Sequence, residues 1–117
     1  DRVFKIIVLK GKSKNLYVCV IHGEAHLDLK KVAKACKEKN IDLLPLSELE
    51  KETGYIRGGC SPVGMKKLFK TFFDKEVEKF DKIMVSAGRR GLQMEVETEK
   101  LVEVVKGNVV DLTMEEI

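Results

Sequence analysis

The stretch Arg2-Val3-Phe4-Lys5-Ile6-Ile7-Val8-Leu9 decides the fold class, because an extended strand with this sequence is apolar on both faces. Alternation places Lys5 and Ile7 on one side of the strand and Ile6 on the other. A strand that is apolar on both faces belongs inside a sheet that is covered on both sides. The pattern therefore predicts a buried strand in which Lys5 is the anomaly.

The segments outside this strand predict a mixed α+β fold. A polar turn at 10–15 and an apolar run at 16–21 complete a hairpin, and Asp28 can cap a helix that runs to about Lys39. Further elements are expected at the positions given next. They are a short helix capped by Ser47, strands near 68–73, 82–86, 92–96 and 108–112, and a helix from Thr98 that Gly107 stops. We expect a curved, largely antiparallel or mixed sheet of six or seven strands, or a barrel-like core, with helices outside.

Composition bounds the possible classes of protein. The chain has 117 residues, 44% hydrophobic and 35% charged, which predicts a single globular domain over 1–117. Its three cysteines have no CxxC spacing, so we expect neither a zinc site nor a disulfide framework. Free cysteines are typical of a reducing compartment, so we expect the protein in the cytoplasm. No apolar run has the roughly 20 residues that span a bilayer, so no membrane partner is expected.

A glycine-rich stretch, Gly54-Tyr55-Ile56-Arg57-Gly58-Gly59-Cys60-Ser61-Pro62-Val63-Gly64, is the strongest candidate for a site. Glycine permits close backbone approach, so such a loop can present N–H groups to an anion or a developing oxyanion. The alternative is a tight connection between two elements. The order of residues excludes a P-loop.

Lys5 is the second candidate. A lone ammonium on a buried face costs several kcal/mol unless it is paired or reached by water. It could lie at the floor of a cleft and face a phosphate, a ribose or an ester carbonyl. The alternative is a lysine at the end of a strand that extends to the surface, or one that pairs with a carboxylate.

Nucleophilic and metal chemistry have weaker support. Cys60 and Ser61 have no base nearby in sequence, and a small buried side chain is the better interpretation of Cys60. His22 and His26 straddle a strand end and a helix start, so no metal site is predicted, and no cofactor is expected. Basic residues gather at turns, including Lys12, Lys14, Arg57, Lys66, Lys67, Lys70, Arg89 and Arg90. This distribution suits a polyanion whose end enters the cleft.

In these residues the chain resembles the YbaK/prolyl-tRNA synthetase-associated domain family of aminoacyl-tRNA deacylases. The matching stretches, in family order, are Val3-Phe4-Lys5, Leu27-Asp28-Leu29-Lys30-Lys31-Val32-Ala33, Thr53-Gly54-Tyr55 with Gly58 to Gly64, and Val85-Ser86-Ala87-Gly88-Arg89-Arg90-Gly91. The YbaK branch, which hydrolyses cysteinyl-tRNA(Pro) and related mischarged tRNAs, is the most similar.

The resemblance implies a set of site residues. Lys5 would contact the 3′-terminal adenosine of tRNA, and Gly58 would be the essential loop glycine. The residues implied to bind substrate are Ile6, Gly59, Cys60, Ser61, Pro62, Ser86, Ala87 and Gly88. Two positions differ from many relatives, Ala87 in place of Gly and Gln93 in place of Asp. The family's N-terminal helix and strand are expected to be missing from this sequence.

The implied function is hydrolysis of the ester that joins a wrong amino acid to the 3′ end of tRNA. The implied partners are mischarged tRNA and prolyl-tRNA synthetase. Two alternatives stay open from the sequence: a non-catalytic module that binds tRNA or a synthetase, and a protein that binds small nucleotides.

Overall fold

The computed structural model describes residues 2–44, 70–86 and 93–114. Seven strands lie in these ranges: β1 (Phe4–Gly11), β2 (Leu16–His22), β3 (Ile41–Leu43), β4 (Lys70–Asp74), β5 (Lys82–Ser86), β6 (Gln93–Glu97) and β7 (Asn108–Val110). The helices there are α1 (Leu29–Cys36), α2 (Thr98–Val104) and a 3₁₀ helix (Lys75–Lys79). No helix of the described ranges combines the length and the apolar character needed to cross a bilayer.

The hairpin of β1 and β2 forms the centre of a five-stranded mixed sheet with the order β3-β1-β2-β4-β7. Its antiparallel register runs from Phe4 opposite His22 to Lys10 opposite Leu16. Lys14 adopts a φ of 78° in the turn, where Gly11 N donates to Asn15 O over 2.9 Å. β4 is parallel to β2, and β7 is parallel to β4. The mixed α+β prediction is therefore confirmed.

Each face of this sheet carries its own apolar cluster, as the two-faced pattern of β1 requires. On one face Leu9 packs in a cluster with Val32 and Cys36 of α1. On the other, Phe4 and Phe73 pack with residues of β5, α2 and the 3₁₀ helix. The sheet is thus covered on both sides.

Helix α1 begins where the sequence predicts. The Asp28 carboxylate accepts from Lys30 N at 3.0 Å and Lys31 N at 3.3 Å, which satisfies two N–H groups of the first turn. The helix ends at Cys36 rather than near Lys39, because Lys37 adopts a left-handed conformation with φ 59°. Its N–H closes the helix on the carbonyls of Ala33 and Lys34.

In the second half of the chain, a buried carboxylate joins three segments. Asp74 is fully buried at the end of β4, where Oδ1 accepts from Leu112 N at 2.9 Å and Oδ2 from Glu76 N at 3.2 Å. β5 and β6 form a separate antiparallel pair. Thr98 at the start of α2 donates from Oγ1 to Phe80 O at 2.7 Å.

The structure differs from the predictions in three respects. The described strands do not close into a barrel, since the five-stranded sheet ends at β3 and β7 and β5–β6 is a second sheet. The prediction of a strand near 68–73 is shifted to Lys70–Asp74, and β3 and the 3₁₀ helix were not predicted. The short helix predicted from Ser47 lies outside the described residues.

Candidate functional site

Lys5 lies half-buried in β1, opposite Ile21 of β2. Alternation puts its side chain on the face of Ile7 and Leu9, which is the face that α1 covers. Within the ranges that the structure describes, the Lys5 amine takes part in no hydrogen bond or ion pair. The alternative in which a described carboxylate neutralises Lys5 is therefore excluded.

The backbone beside Lys5 is an interrupted edge. β3 pairs with Leu9 to Gly11 at one end of β1, and Leu44 N donates to Val8 O over 3.1 Å. At the other end Val3 forms a parallel bridge with Met84 of β5. Within the described residues, no strand pairs with this side of β1 between those two points. We refer to this stretch, Lys5 to Ile7, as the open edge of β1.

The chain leaves the described ranges near the open edge at two points, and each of the two segments that follow contains predicted site residues. The chain passes from Leu44, held against Val8, into 45–69, which contains Gly58, Gly59, Cys60, Ser61 and Pro62. It also passes from β5 into 87–92, which contains Ala87 and Gly88. These seven predicted site residues lie outside the described residues. Ser86 ends β5, two residues beyond Met84, and Lys5 lies two residues beyond Val3, so both follow the isolated bridge at the same spacing.

Ile6 points away from Lys5. Its side chain is partly buried on the opposite face of the sheet, against the clusters that contain Val20 and Val8. The two neighbouring residues of the predicted site therefore present their side chains to different faces of β1.

The cysteines among the described residues are unsuited to nucleophilic catalysis. Burial raises the pKa of Cys36 to about 11, and it raises the pKa of Cys19 further. A thiol with a raised pKa holds almost no thiolate at neutral pH. Neither side chain can supply the attacking group.

The histidines are occupied by local contacts or exposed. The ring of His22 meets Phe4 edge-on at 5.5 Å, and its Nδ1 accepts from Glu24 N at 3.2 Å. His26 is exposed. In the described part of the chain, no three His, Cys, Asp or Glu side chains gather to hold a metal ion.

Sequence reasoning missed a groove of about 630 Å³ between the 3₁₀ helix and α2. Its floor includes Val77 and Val109, and its rim carries Glu78, Asp81, Glu97, Glu99 and Glu103 against Lys82 and Lys100. An excess of carboxylates repels a polyanion. This groove is therefore a poor candidate for binding nucleic acid, although alternating Glu residues in 93–103 were a visible signal for an acidic surface.

Comparison with known proteins identifies the family. A model of the aminoacyl-tRNA editing domain matches residues 1–104. An Enterococcus faecalis protein that carries the name Cys-tRNA(Pro)/Cys-tRNA(Cys) deacylase EbsC is 45% identical over 115 residues, which cover 98% of this chain and 70% of that protein.

Solved structures show the same fold. The protein APE2540 superposes with a TM-score of 0.89 at 22% identity, over 97% of this chain and 75% of its own. A protein described as a trans-editing enzyme for prolyl-tRNA synthetase superposes with a TM-score of 0.87 at 21% identity, over 97% of this chain and 71% of its own. The family model, the E. faecalis relative and the shared fold agree: this chain belongs to the aminoacyl-tRNA editing domain family, and it is an aminoacyl-tRNA deacylase.

Proposed function

We propose that the chain removes cysteine from mischarged tRNA in trans, with Cys-tRNA(Pro) and Cys-tRNA(Cys) as its substrates. The substrate is inferred from the E. faecalis relative, which is 45% identical and is named for these two esters. The observation that carries the proposal is the position of Lys5, half-buried and without a described partner at the open edge of β1. The chain enters the two segments that contain the other predicted site residues near this edge, after Leu44 and after Ser86.

In this proposal Lys5 binds the 3′-terminal adenosine. An ammonium in a partly buried place interacts more strongly with a phosphate or ribose oxygen than the same group in water. Because no described carboxylate competes for it, the Lys5 amine is available to an incoming anionic or oxygen-rich ligand. Its role is to hold the ester in one orientation, which by itself can contribute several kcal/mol to catalysis.

The backbone N–H groups of Gly58 to Cys60 are proposed to stabilise the developing oxyanion. This assignment rests on the glycine-rich sequence, and on Leu44, beside β1, as the point from which the chain enters 45–69. Donors of this kind act on the transition state because the negative charge of the carbonyl oxygen grows there.

The attacking group is proposed to be the thiol of the substrate itself. Its sulfur forms a bond to the ester carbonyl carbon, the bond to the ribose oxygen breaks, and that oxygen takes the thiol proton. Water then opens the resulting thiolactone to free cysteine. The raised pKa values of Cys19 and Cys36 support this route, because they remove two protein thiols from consideration.

A panel of charged tRNAs tests the proposal. Purified protein is incubated with Cys-tRNA(Pro), Cys-tRNA(Cys), Ala-tRNA(Pro) and Ser-tRNA(Cys), and ester loss is followed against a no-protein control. We expect rapid loss of the cysteinyl esters and slow loss of the alanyl and seryl esters, which lack the thiol. Equal rates on cysteinyl and seryl esters would contradict substrate-assisted attack, and tight binding without ester loss would favour a non-catalytic module.

We also propose that the protein works in the cytoplasm alongside prolyl-tRNA synthetase. A structural relative is described as a trans-editing enzyme for that synthetase. Co-sedimentation of the two purified proteins, with and without tRNA(Pro), tests this partner. A complex that requires tRNA would mean that the tRNA bridges the two proteins.

A further inference from the structure

Six exposed lysines gather where the β1–β2 turn meets the end of α1. This group, the hairpin patch, consists of Lys12, Lys14, Lys34, Lys37, Lys39 and Lys70. Lys12 N donates to Asn40 O over 3.0 Å, which joins the turn to the segment after α1. Lys70 begins β4 opposite Tyr17, and its ammonium is near enough to the thiol of Cys36 to oppose the rise in that pKa that burial causes.

A carboxylate at the centre of the hairpin patch is engaged by neutral donors. Glu38 accepts from Ser13 N at 3.2 Å, from Ser13 Oγ at 2.5 Å and from Tyr17 OH at 2.5 Å. The bonds from Ser13 and Tyr17 hold the pKa of Glu38 below its ordinary value. Glu38 therefore fixes the turn against the end of α1, and its oxygens are committed to hydroxyl and amide groups.

The lysines of the hairpin patch stay unneutralised. Across the described ranges no ion pair involves any of the six, and Asp42, the next carboxylate, lies opposite Lys10 in the β1–β3 register. Some lysines elsewhere in the described ranges are paired, for instance Lys31 with Asp111 and Lys79 with Glu76, whereas Lys82 and Lys106 are isolated single charges without an ion pair. Lys70 lies over the ring of Phe72, 5.6 Å from its centroid, but this contact leaves its positive charge uncompensated. Holding several like charges together is unfavourable, and an anionic ligand would relieve the repulsion.

The hairpin patch and Lys5 lie at opposite ends of one strand. Lys12 follows Lys5 by seven residues, so at about 3.3 Å per residue the two are roughly 23 Å apart. A stacked nucleic-acid strand covers that distance in about seven nucleotides, at about 3.4 Å per step. A terminal adenosine held at Lys5 cannot reach the turn, whereas the polynucleotide attached to it can.

We infer that the hairpin patch binds the phosphate backbone of the tRNA acceptor stem while the 3′ end occupies the pocket at Lys5. The inference rests on the proposed function for the position of the 3′ end. It adds a second contact region that acts through charge and reads no base. Such contacts raise affinity and fix orientation without adding sequence specificity.

The test compares two double variants that change net charge equally. Lys12→Gln with Lys37→Gln alters the hairpin patch, and Lys82→Gln with Lys106→Gln is the control. All four side chains are exposed, none forms an ion pair among the described residues, and each pair includes one lysine with positive φ, Lys37 at 59° or Lys106 at 53°. The measurements are affinity for uncharged tRNA across salt concentrations, and deacylation of Cys-tRNA(Pro) and of a cysteinylated CCA trinucleotide.

We expect the patch variant to bind tRNA at least about fivefold more weakly at 0.1 M salt, and its log–log salt slope to fall by about 1.5, as for two lost phosphate contacts. Its KM for Cys-tRNA(Pro) should rise with kcat unchanged, and its activity on the trinucleotide should equal wild type. The control should match wild type in every assay.

Unchanged tRNA affinity and salt slope in the patch variant would overturn the inference. Equal losses of deacylation activity on Cys-tRNA(Pro) and on the trinucleotide would also overturn it. Patch-dependent binding to phosphatidylserine vesicles with unchanged tRNA binding would also overturn it, in favour of a lipid surface. Binding of uncharged tRNA needs no catalysis. The affinity measurement therefore tests the hairpin patch even if the wild-type protein hydrolyses none of the esters.

Discussion

The two sides of the central hairpin use charged residues differently. On the side of β2, where β4 and β7 continue the sheet, Asp74 is buried with both oxygens hydrogen-bonded, and Asp111 is paired with Lys31 and Lys75. On the side of β1, strand pairing is interrupted and Lys5 has no partner among the described residues. The difference separates charges that hold the fold together from a charge, Lys5, that no described group neutralises.

The largest expected effect on stability is at Asp74. The change Asp74→Ala removes the acceptor of Leu112 N and Glu76 N, and buried donors without partners cost about 1–3 kcal/mol each. We expect the free energy of unfolding to fall by about 3 kcal/mol in urea denaturation. Asp81→Ala is the control, since Asp81 is exposed, and it should change stability by less than about 0.5 kcal/mol. Equal losses of stability in Asp74→Ala and Asp81→Ala would mean that the hydrogen bonds of Asp74 do not stabilise the side of β2.

A smaller loss of stability is expected at Gly107. A Cβ at this position would overlap the ring of Phe73, which is fully buried, so the surrounding core would have to shift. Gly107→Ala should therefore cost about 1–3 kcal/mol. Gly23→Ala, on the side of β1, meets Val3 O at 3.2 Å and should cost less. Thermal unfolding measures the stability that each variant loses. A larger loss in Gly23→Ala than in Gly107→Ala would contradict the tighter packing beside β4.

The smallest expected effect is at Asp111, where the structure also predicts a pH dependence. The hydrogen bond from Lys31 lowers the pKa of Asp111, so the folded state holds this proton less tightly than the unfolded state. The resulting stabilisation is present above the ordinary aspartate pKa of 3.8 and is lost as pH falls through the lowered value. Because the pair is partly exposed, Asp111→Asn should cost at most about 1 kcal/mol near neutral pH.

Urea denaturation of wild type and Asp111→Asn at several pH values checks this expectation. The gap between the two proteins should close as the solution is acidified below the lowered pKa. A gap that keeps its size at all pH values would show that the carboxylate charge plays no part.

Local elements of the fold were predictable because local patterns specify them. The alternation of β1, the cap at Asp28 and the half-polar pattern of 92–96 predicted a hairpin, a helix and a strand that the structure contains. The end of α1 was predicted too late, because Lys37 adopts positive φ where glycine or asparagine is the usual signal. β3 has three residues, too few to show a period.

Pairings between distant segments were not predictable from local pattern. Nothing in the sequence of β4 shows that it is parallel to β2, or that the buried Asp74 receives Leu112 N from 38 residues away. The candidate site likewise has one part that local pattern predicts and one part that depends on distant pairing. The sequence singled out Lys5 as an anomaly in a buried strand, whereas the open edge beside it depends on where β3 and β5 pair with β1.

The most direct measurement compares Lys5→Ala with Lys31→Ala in deacylation of Cys-tRNA(Pro) and in urea denaturation. We predict that Lys5→Ala lowers kcat/KM by at least about 100-fold, on the scale of misplacing a substrate by about 1 Å, with the free energy of unfolding unchanged. Lys31→Ala should keep wild-type activity and lose about 1 kcal/mol of stability, since it breaks the contacts to Asp111 and Thr113 O. Full activity in Lys5→Ala would contradict the account.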